Sequence, residues 1–158
     1  MLKPAPDLET VRYGQETFPR TEREKLEFDK LFSHHALEVR GKLFDLDYDR
    51  YYDIQARRRL VWIVARSIET NAPIGYACSF WYRDLHFNER VAADDLWFVR
   101  RDYRRSGVGK TLKEMCHEEL KKQGVVHVYD TIRSDYDHRK LMQDLEFERW
   151  GNRWKRIL

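Results

Sequence analysis

The sequence predicts an α/β chain of the α+β type, helices flanking a sheet, and three observations point to it. The stretch at 96–111, LWFVRRDYRRSGVGKT, runs from an apolar segment through a basic, glycine-containing turn into an amphipathic helix, so it reads as strand, anion-binding loop, helix. Three apolar, partly β-branched runs in succession lead up to that loop, and two helical patterns precede them. At 158 residues, with 42% hydrophobic and 14% aromatic content, the chain suits one domain whose core needs neither metal nor disulfide.

Taken in order, residues 1–20 read as irregular, broken by Pro4, Pro6 and Pro19, with one short strand at 10–13. Thr21 followed three positions later by Glu24 is a capping box, and Leu26, Leu31 and Phe32 form the apolar stripe of a first helix reaching about His34. His34 and His35 are adjacent, leave a helix in different directions and cannot chelate one ion together; they read as helix-end or surface groups. Asp45, Asp47 and Asp49 alternate like the opening of a calcium loop, but Arg50 stands where that loop needs glycine and Ala56 where it needs a bidentate glutamate. These acids suit instead the N-terminal end of a second helix at 46–58, with Tyr48, Tyr51, Tyr52 and Ile54 on one side and Arg57, Arg58 and Arg59 closing it.

From residue 60 the period changes to that of strands. Segments 61–66 and 74–82, joined by a turn at 69–73, read as an antiparallel hairpin, and a loop at 83–90 leads into a third strand at 91–99. The helix behind the loop carries Val108, Leu112, Met115, Cys116 and Leu120 on one face and stops at the lysines before Gly124. A strand at 125–132 follows. Ser134 or Asp135 then caps a short helix carrying Leu141, Met142 and Leu145, and a hairpin turns around Gly151 and Asn152.

The loop carries the chemistry. Arg104, Gly107 and Gly109 spell Arg-x-x-Gly-x-Gly, and a helix opened by glycines aims free N–H groups and the positive end of its dipole at whatever lies in front, an arrangement that binds phosphate. Arg100, Arg101, Arg104, Arg105 and Lys110 crowd the turn, with Asp102 as its only acid, which favours a polyanion. The spacing fits neither the nucleotide loop Gly-x-x-x-x-Gly-Lys-Ser/Thr nor the dinucleotide fingerprint Gly-x-Gly-x-x-Gly. A net charge of +3 is too small to argue nucleic acid, which leaves a binder built on the arginines and five tryptophans as the weakest reading. Cys78 and Cys116, on a strand and a helix face, read as packed free thiols, and no metal site is expected. No apolar run has the length of a membrane span and MLKPAPDLET has no signal-peptide core, so the expectation is a cytoplasmic protein without a membrane partner.

Over residues 60–158 the motif and the element order resemble the GNAT family of N-acetyltransferases; the likeness is most specific in VRRDYRRSGVGKTL, and around ADDLWFV it is to phage-encoded members. The resemblance implies a central mixed, mostly antiparallel sheet with strand, phosphate loop and helix at its centre. It also implies acetyl-CoA as cosubstrate and a small-molecule or protein amine as acceptor, with a homodimer left open. Pantetheine would run along the strand through Trp97, Phe98 and Val99, with the pyrophosphate in the loop of Arg104, Arg105, Ser106, Gly107, Val108, Gly109 and Lys110. The backbone N–H near Phe98 or Val99 would polarise the thioester carbonyl. A protonated amine cannot attack, so a base is required; Asp95 maps to the family's frequent glutamate, Asp94 is its neighbour, and strand parity lets only one of the two face the acceptor. Tyr48, Tyr51, Tyr52, Trp81 and Tyr82 are the candidate acceptor walls. Three departures stand out. Arg105 and Ser106 replace the usual glycine and lysine, Glu146 replaces the glycine of Leu-Gly-Phe, and Met142 falls where the family has a proton-donating tyrosine, with Tyr136 the nearest substitute; Asp135 stands at a common pantetheine-binding asparagine. Met142 keeps open a degenerate member that binds acyl-CoA, or serves as an interaction module, without turnover.

Overall fold

The computed structural model describes residues 10–130 and 139–148; Asp135, Tyr136, the Ser134 cap and the turn at Gly151 lie outside them. Five strands form one sheet in the order β1-β2-β3-β4-β5: β1 (Val11–Gln15), β2 (Leu60–Ser67), β3 (Pro73–Arg83), β4 (Arg90–Val99) and β5 (His127–Tyr129). The first four pair antiparallel and β4 pairs β5 in parallel, so the sheet is mixed and mostly antiparallel, as expected.

Helices α1 (Glu22–Arg40) and α2 (Tyr48–Ala56) cover one face and α3 (Val108–Lys122) the other, while α4 (Arg139–Asp144) follows β5. The capping box forms: the Thr21 hydroxyl accepts from the Glu24 amide at 3.2 Å and the Glu24 carboxylate accepts from the Thr21 amide at 2.8 Å. The helix it starts runs to Arg40, past the expected end at His34, and Gly41 closes it in a left-handed conformation. Its buried stripe is Phe28, Leu31, Phe32, His35 and Ala36, whereas Leu26 is exposed. His35 is therefore a core residue rather than a surface group. Its Nδ1 lies 2.7 Å from the Tyr76 hydroxyl, its ring stacks on Phe98 at 4.9 Å, and burial lowers its pKa to about 4. Asp47 caps α2, its carboxylate accepting from the Arg50 amide at 3.1 Å.

Two apolar layers result. Val61, Ile63, Ala77, Ala92 and Val99 meet Val108, Leu112, Cys116 and Leu120 of α3. On the other face Trp62, Val64, Tyr76, Leu96 and Phe98 meet Phe28, Leu31 and Phe32 of α1. Phe18, in the segment expected to be irregular, is fully buried at the centre of this second layer and stacks on Tyr51 with centroids 4.2 Å apart. Cys78 and Cys116 are free and buried, one in each layer. Among the described residues no helix is long and apolar enough to cross a membrane.

Candidate active site

The site is built on β4, where alternation fails once. Cys78 pairs with Leu96 but Ser79 pairs with Asp94, so Asp95 is the extra residue of a bulge. Alternation sends the two acids to opposite faces, Asp94 toward α3 and Asp95 toward α2, the bulge keeps Leu96 on the face of Asp95, and only Asp95 looks to the second helix, whose tyrosines are candidate acceptor walls.

Asp95 accepts a hydrogen bond from the Tyr51 hydroxyl of α2. Asp95 is exposed on β4, but the packing around its carboxyl removes enough water to raise its pKa, and the Tyr51 hydrogen bond and the charge of Arg50 only partly offset that. The Tyr51 phenol in turn is pushed well above its ordinary value, by burial and by the Asp95 charge, so it remains a neutral donor. Asp94 has different surroundings. It accepts from Lys113 Nζ at 2.9 Å and from the Ser79 hydroxyl, and His117 Nε2 lies 3.2 Å away. Burial alone would raise its pKa, but the His117 contact, the Lys113 charge and the Ser79 hydrogen bond outweigh it and bring the value down to about 2. An acid so held is a poor base, which separates two neighbours that the sequence left as a pair.

The loop that follows β4 has the form of an anion site. Gly107 holds φ 91° at the head of α3, a left-handed conformation that costs a side-chain-bearing residue, and no side chain caps the helix, so its first N–H groups point outward. A Cβ on Gly109 would lie 3.0 Å from Trp97 Cζ2, so the helix approaches β4 this closely only with glycine there, and Trp97 Nε1 donates to the Gly109 carbonyl at 3.2 Å. Arg105, at the usual glycine position, takes φ 66°, and Glu146 takes φ 59° where Leu-Gly-Phe has its glycine. Both turns thus keep a left-handed conformation, and a non-glycine residue bears the strain, roughly 1–2 kcal/mol each.

Arg104 is committed elsewhere. Its guanidinium makes two bonds to Glu38, at 2.8 and 2.9 Å, and one to the Val99 carbonyl at 2.8 Å, beside the Phe98 ring. It braces the loop, and any contact it makes with a ligand in front of α3 comes from its main chain. Glu38 and Asp102 also approach Arg101 and Arg100, at 3.6 and 2.6 Å, and Lys110 lies 3.6 Å from Glu114, so the loop is less cationic than its sequence implies. Nothing in the local sequence announces Glu38.

The backbone of β4 has two edges. Arg100 N–H donates to Ile74 of β3 at 2.8 Å, so by strand alternation Phe98 shares that edge while the Val99 amide faces the opposite side, toward β5. Of the two expected polarising amides, Val99 has the accessible orientation. Among the described residues, pairing of β4 with β5 ends at Ala93 and Tyr129.

Of the expected acceptor walls, Tyr51 lies at Asp95, Tyr52 bonds the Pro19 carbonyl at 2.9 Å, and Tyr48 packs near Phe18. Tyr82 is partly exposed on the same face, beside Phe80. Trp81 belongs to the other face. It sits between the guanidinium groups of Arg59 and Arg90 and donates to Gln123 at 2.6 Å. Adjacent residues of an unbulged strand face opposite sides, so parity alone excludes Trp81 once Tyr82 is chosen. Sequence reading also missed Lys113, although 109, 113, 116 and 120 form one helical stripe and place it on the buried side.

The sequence model of the acetyltransferase (GNAT) family matches residues 26–147. The chain belongs to the GNAT acetyltransferases. Solved structures of the same fold include an aminoglycoside acetyltransferase from an uncultured soil metagenomic sample (13% identity, 96% of this chain and 98% of that one, TM-score 0.73). Glucosamine-6-phosphate N-acetyltransferase from Arabidopsis thaliana is also similar (14%, 94% and 98%, 0.71), as is ribosomal-protein-alanine N-acetyltransferase from Brucella melitensis biovar Abortus 2308 (19%, 93% and 97%, 0.68). At these identities the likeness is one of fold. No curated protein matches. As a GNAT chain the protein has the expected sheet, with β4, the loop and α3 at its centre.

Proposed function

We propose that this GNAT chain is an acetyl-CoA-dependent N-acetyltransferase that moves the acetyl group to a primary amine by direct attack on the thioester. The observation that carries the reading is the junction of β4 and α3: an uncapped helix N-terminus behind Gly107, continuous with a strand edge and ending five residues upstream of Arg104 at Val99. The α3 N–H groups from Gly107 to Lys110 would hold the pyrophosphate, with Arg105 and Ser106 contributing main-chain groups. Pantetheine would lie along Trp97, Phe98 and Val99, and the Val99 amide would stabilise negative charge on the thioester oxygen as the amine adds. Asp95 is the base. It removes the proton of the attacking ammonium, directly or through one water, and its raised pKa suits that work better than the depressed one of Asp94.

Nitrogen adds to the thioester carbon, the C–S bond breaks, the thiolate leaves, and the nitrogen gives its second proton to solvent as the amide forms. Met142, in α4, has no proton for that thiolate. A thiolate leaves without one, so its absence slows rather than forbids turnover. Met142 also favours a second reading, a member that binds acyl-CoA without turnover.

Calorimetric titration with acetyl-CoA tests the binding, and release of free thiol across a panel of primary amines tests the reaction. Binding together with amine-dependent thiol release is the expected result. Binding without release would select the second reading, and no binding would refute both. In a folded Gly109→Glu protein the affinity should fall at least about tenfold, or about 1.4 kcal/mol.

A further inference from the structure

A cavity of about 540 Å3 opens at the far end of the sheet, where β4 starts and α2 and α3 end, with Gln55, Arg58, Trp81, Arg90 and Gln123 on its wall. The 15 residues of α3, at 1.5 Å each, put it about 22 Å from the glycine loop at the other end of that helix. Its charge is one-sided. Arg57, first of the arginine triplet, pairs with Asp53 at 2.9 Å, and Arg66, Arg100 and Arg104 also meet carboxylates. Among the described residues Arg58, Arg59 and Arg90 make no salt bridge, and Arg59 and Arg90 flank the Trp81 ring at 5.0 and 4.9 Å. The carboxylate on the wall, that of Glu16, is taken by Arg66 at 2.6 and 2.8 Å. The C-terminal ends of α2 and α3 add about half a negative charge each, which three guanidinium groups outweigh.

The hydrogen bonding is one-sided as well. The Gln55 side-chain oxygen accepts from the Phe18 amide at 2.7 Å, and that of Gln123 from the Trp81 indole at 2.6 Å. Both partners can only donate, which fixes each side-chain amide with its NH2 group turned away from them, and among the described residues neither NH2 group makes a hydrogen bond. Arg90 uses one N–H on the Gln123 carbonyl at 2.5 Å, and the Arg58 guanidinium makes no hydrogen bond among the described residues. Four donor groups, from the ends of α2 and α3 and the start of β4, therefore line one cavity in the volume range of small-molecule sites. A carboxylate offers two oxygens in one plane, whereas a phosphoryl group offers three around a tetrahedron and suits donors that arrive from three elements. We propose that this cavity is an anion site for a small molecule carrying a phosphoryl group, held by Arg58 and Arg90 with the NH2 groups of Gln55 and Gln123 completing the contacts. The site is separate from the glycine loop, and its ligand is not acetyl-CoA bound there.

The test is an NMR titration of the isotope-labelled protein with inorganic phosphate at constant ionic strength, followed through the Trp81 indole and the Gln55 and Gln123 side-chain amides, with citrate as the carboxylate probe. The three signals should shift together and saturably with phosphate, and more weakly with citrate. Arg58→Gly removes a guanidinium from a position at φ 56° that glycine adopts readily, so urea unfolding should show stability kept or raised while phosphate binding falls at least about tenfold. Gln123→Glu keeps an oxygen for the Trp81 indole but turns a donor into an anion, and should abolish the shifts. Gly109→Glu, at the glycine loop, should leave them in place. Shifts that do not saturate, tighter binding of citrate than of phosphate, or phosphate binding unchanged in a folded Arg58→Gly protein would each overturn the proposal, as would loss of the shifts in Gly109→Glu.

Discussion

Asp94 and Asp95 are neighbours in the chain with the same side chain, yet they face opposite sides of the sheet and meet different partners. Asp94 is held by a lysine, a histidine and a serine, and its pKa is down at about 2. Asp95 lies at an exposed position of β4, its carboxyl partly desolvated against α2 with one tyrosine hydroxyl and the more distant charge of Arg50 beside it, and its pKa is raised. The more deeply enclosed carboxylate is the one held ionised, so partners outweigh burial in deciding what each acid does. Partners turn one into a fixed anion of the scaffold, and their scarcity leaves the other able to accept a proton.

The largest expected effect falls on the scaffold side. Lys113→Met leaves Asp94 and Asp130 buried without their cation, and breaking such a group costs about 3–5 kcal/mol of stability, measurable by urea unfolding. A loss under about 1 kcal/mol would mean that the cluster is far more solvated than its burial indicates, and the contrast with Asp95 would weaken.

Acid titration separates the two carboxylates without a mutation in the lysine. Asp94, depressed from 3.8 to about 2, contributes stability that is present above the unfolded value and lost as pH falls through the folded one, between about pH 4 and 2. The contribution is of order 2 kcal/mol. Asp95 has the opposite sign: its contribution is present below 3.8 and lost as pH rises through its raised folded value, so ionised Asp95 costs stability near neutrality. Asp94→Asn should therefore lose the stability step between pH 4 and 2, while Asp95→Asn should be at least as stable as the unaltered protein at pH 7. The reverse assignment in thermal unfolding across that range would break the comparison.

Tyr51→Phe is expected to act more gently. Removing the hydrogen bond that favours the charged Asp95 raises its pKa further. The acidic limb of kcat/KM should move to higher pH with less than about tenfold loss on the alkaline side. An unmoved limb would detach Asp95 from the rate.

Much of this was legible where the physics is local. Thr21 and Glu24 cap each other within one turn, and Gly107 marks a left-handed helix start that few other residues tolerate. The strands β2, β3 and β4 were legible as apolar, partly β-branched runs, and α3 from its helical period. What escaped was set by distant segments. Glu38 reaches Arg104 across 66 positions of sequence, and Phe18, in a proline-flanked stretch, is buried by packing against α1 and α2. The bulge at Asp95 shifts parity without any glycine or proline to announce it, so Leu96 faces α1 while Asp94 faces α3. Asp130 and Lys113 matter only because β5 and α3 converge on Asp94, a juxtaposition that no spacing within one element encodes.

The most direct test of the division between the two acids is kcat at saturating acetyl-CoA for Asp94→Asn and Asp95→Asn, followed by thiol release with an active amine across pH. The expected result is a roughly 10²-fold loss for Asp95→Asn near neutrality that shrinks as rising pH frees the amine of its proton, with Asp94→Asn retaining most of its kcat. Equal kcat values for the two variants, or the larger loss in Asp94→Asn, would contradict the assignment of Asp95 as the base.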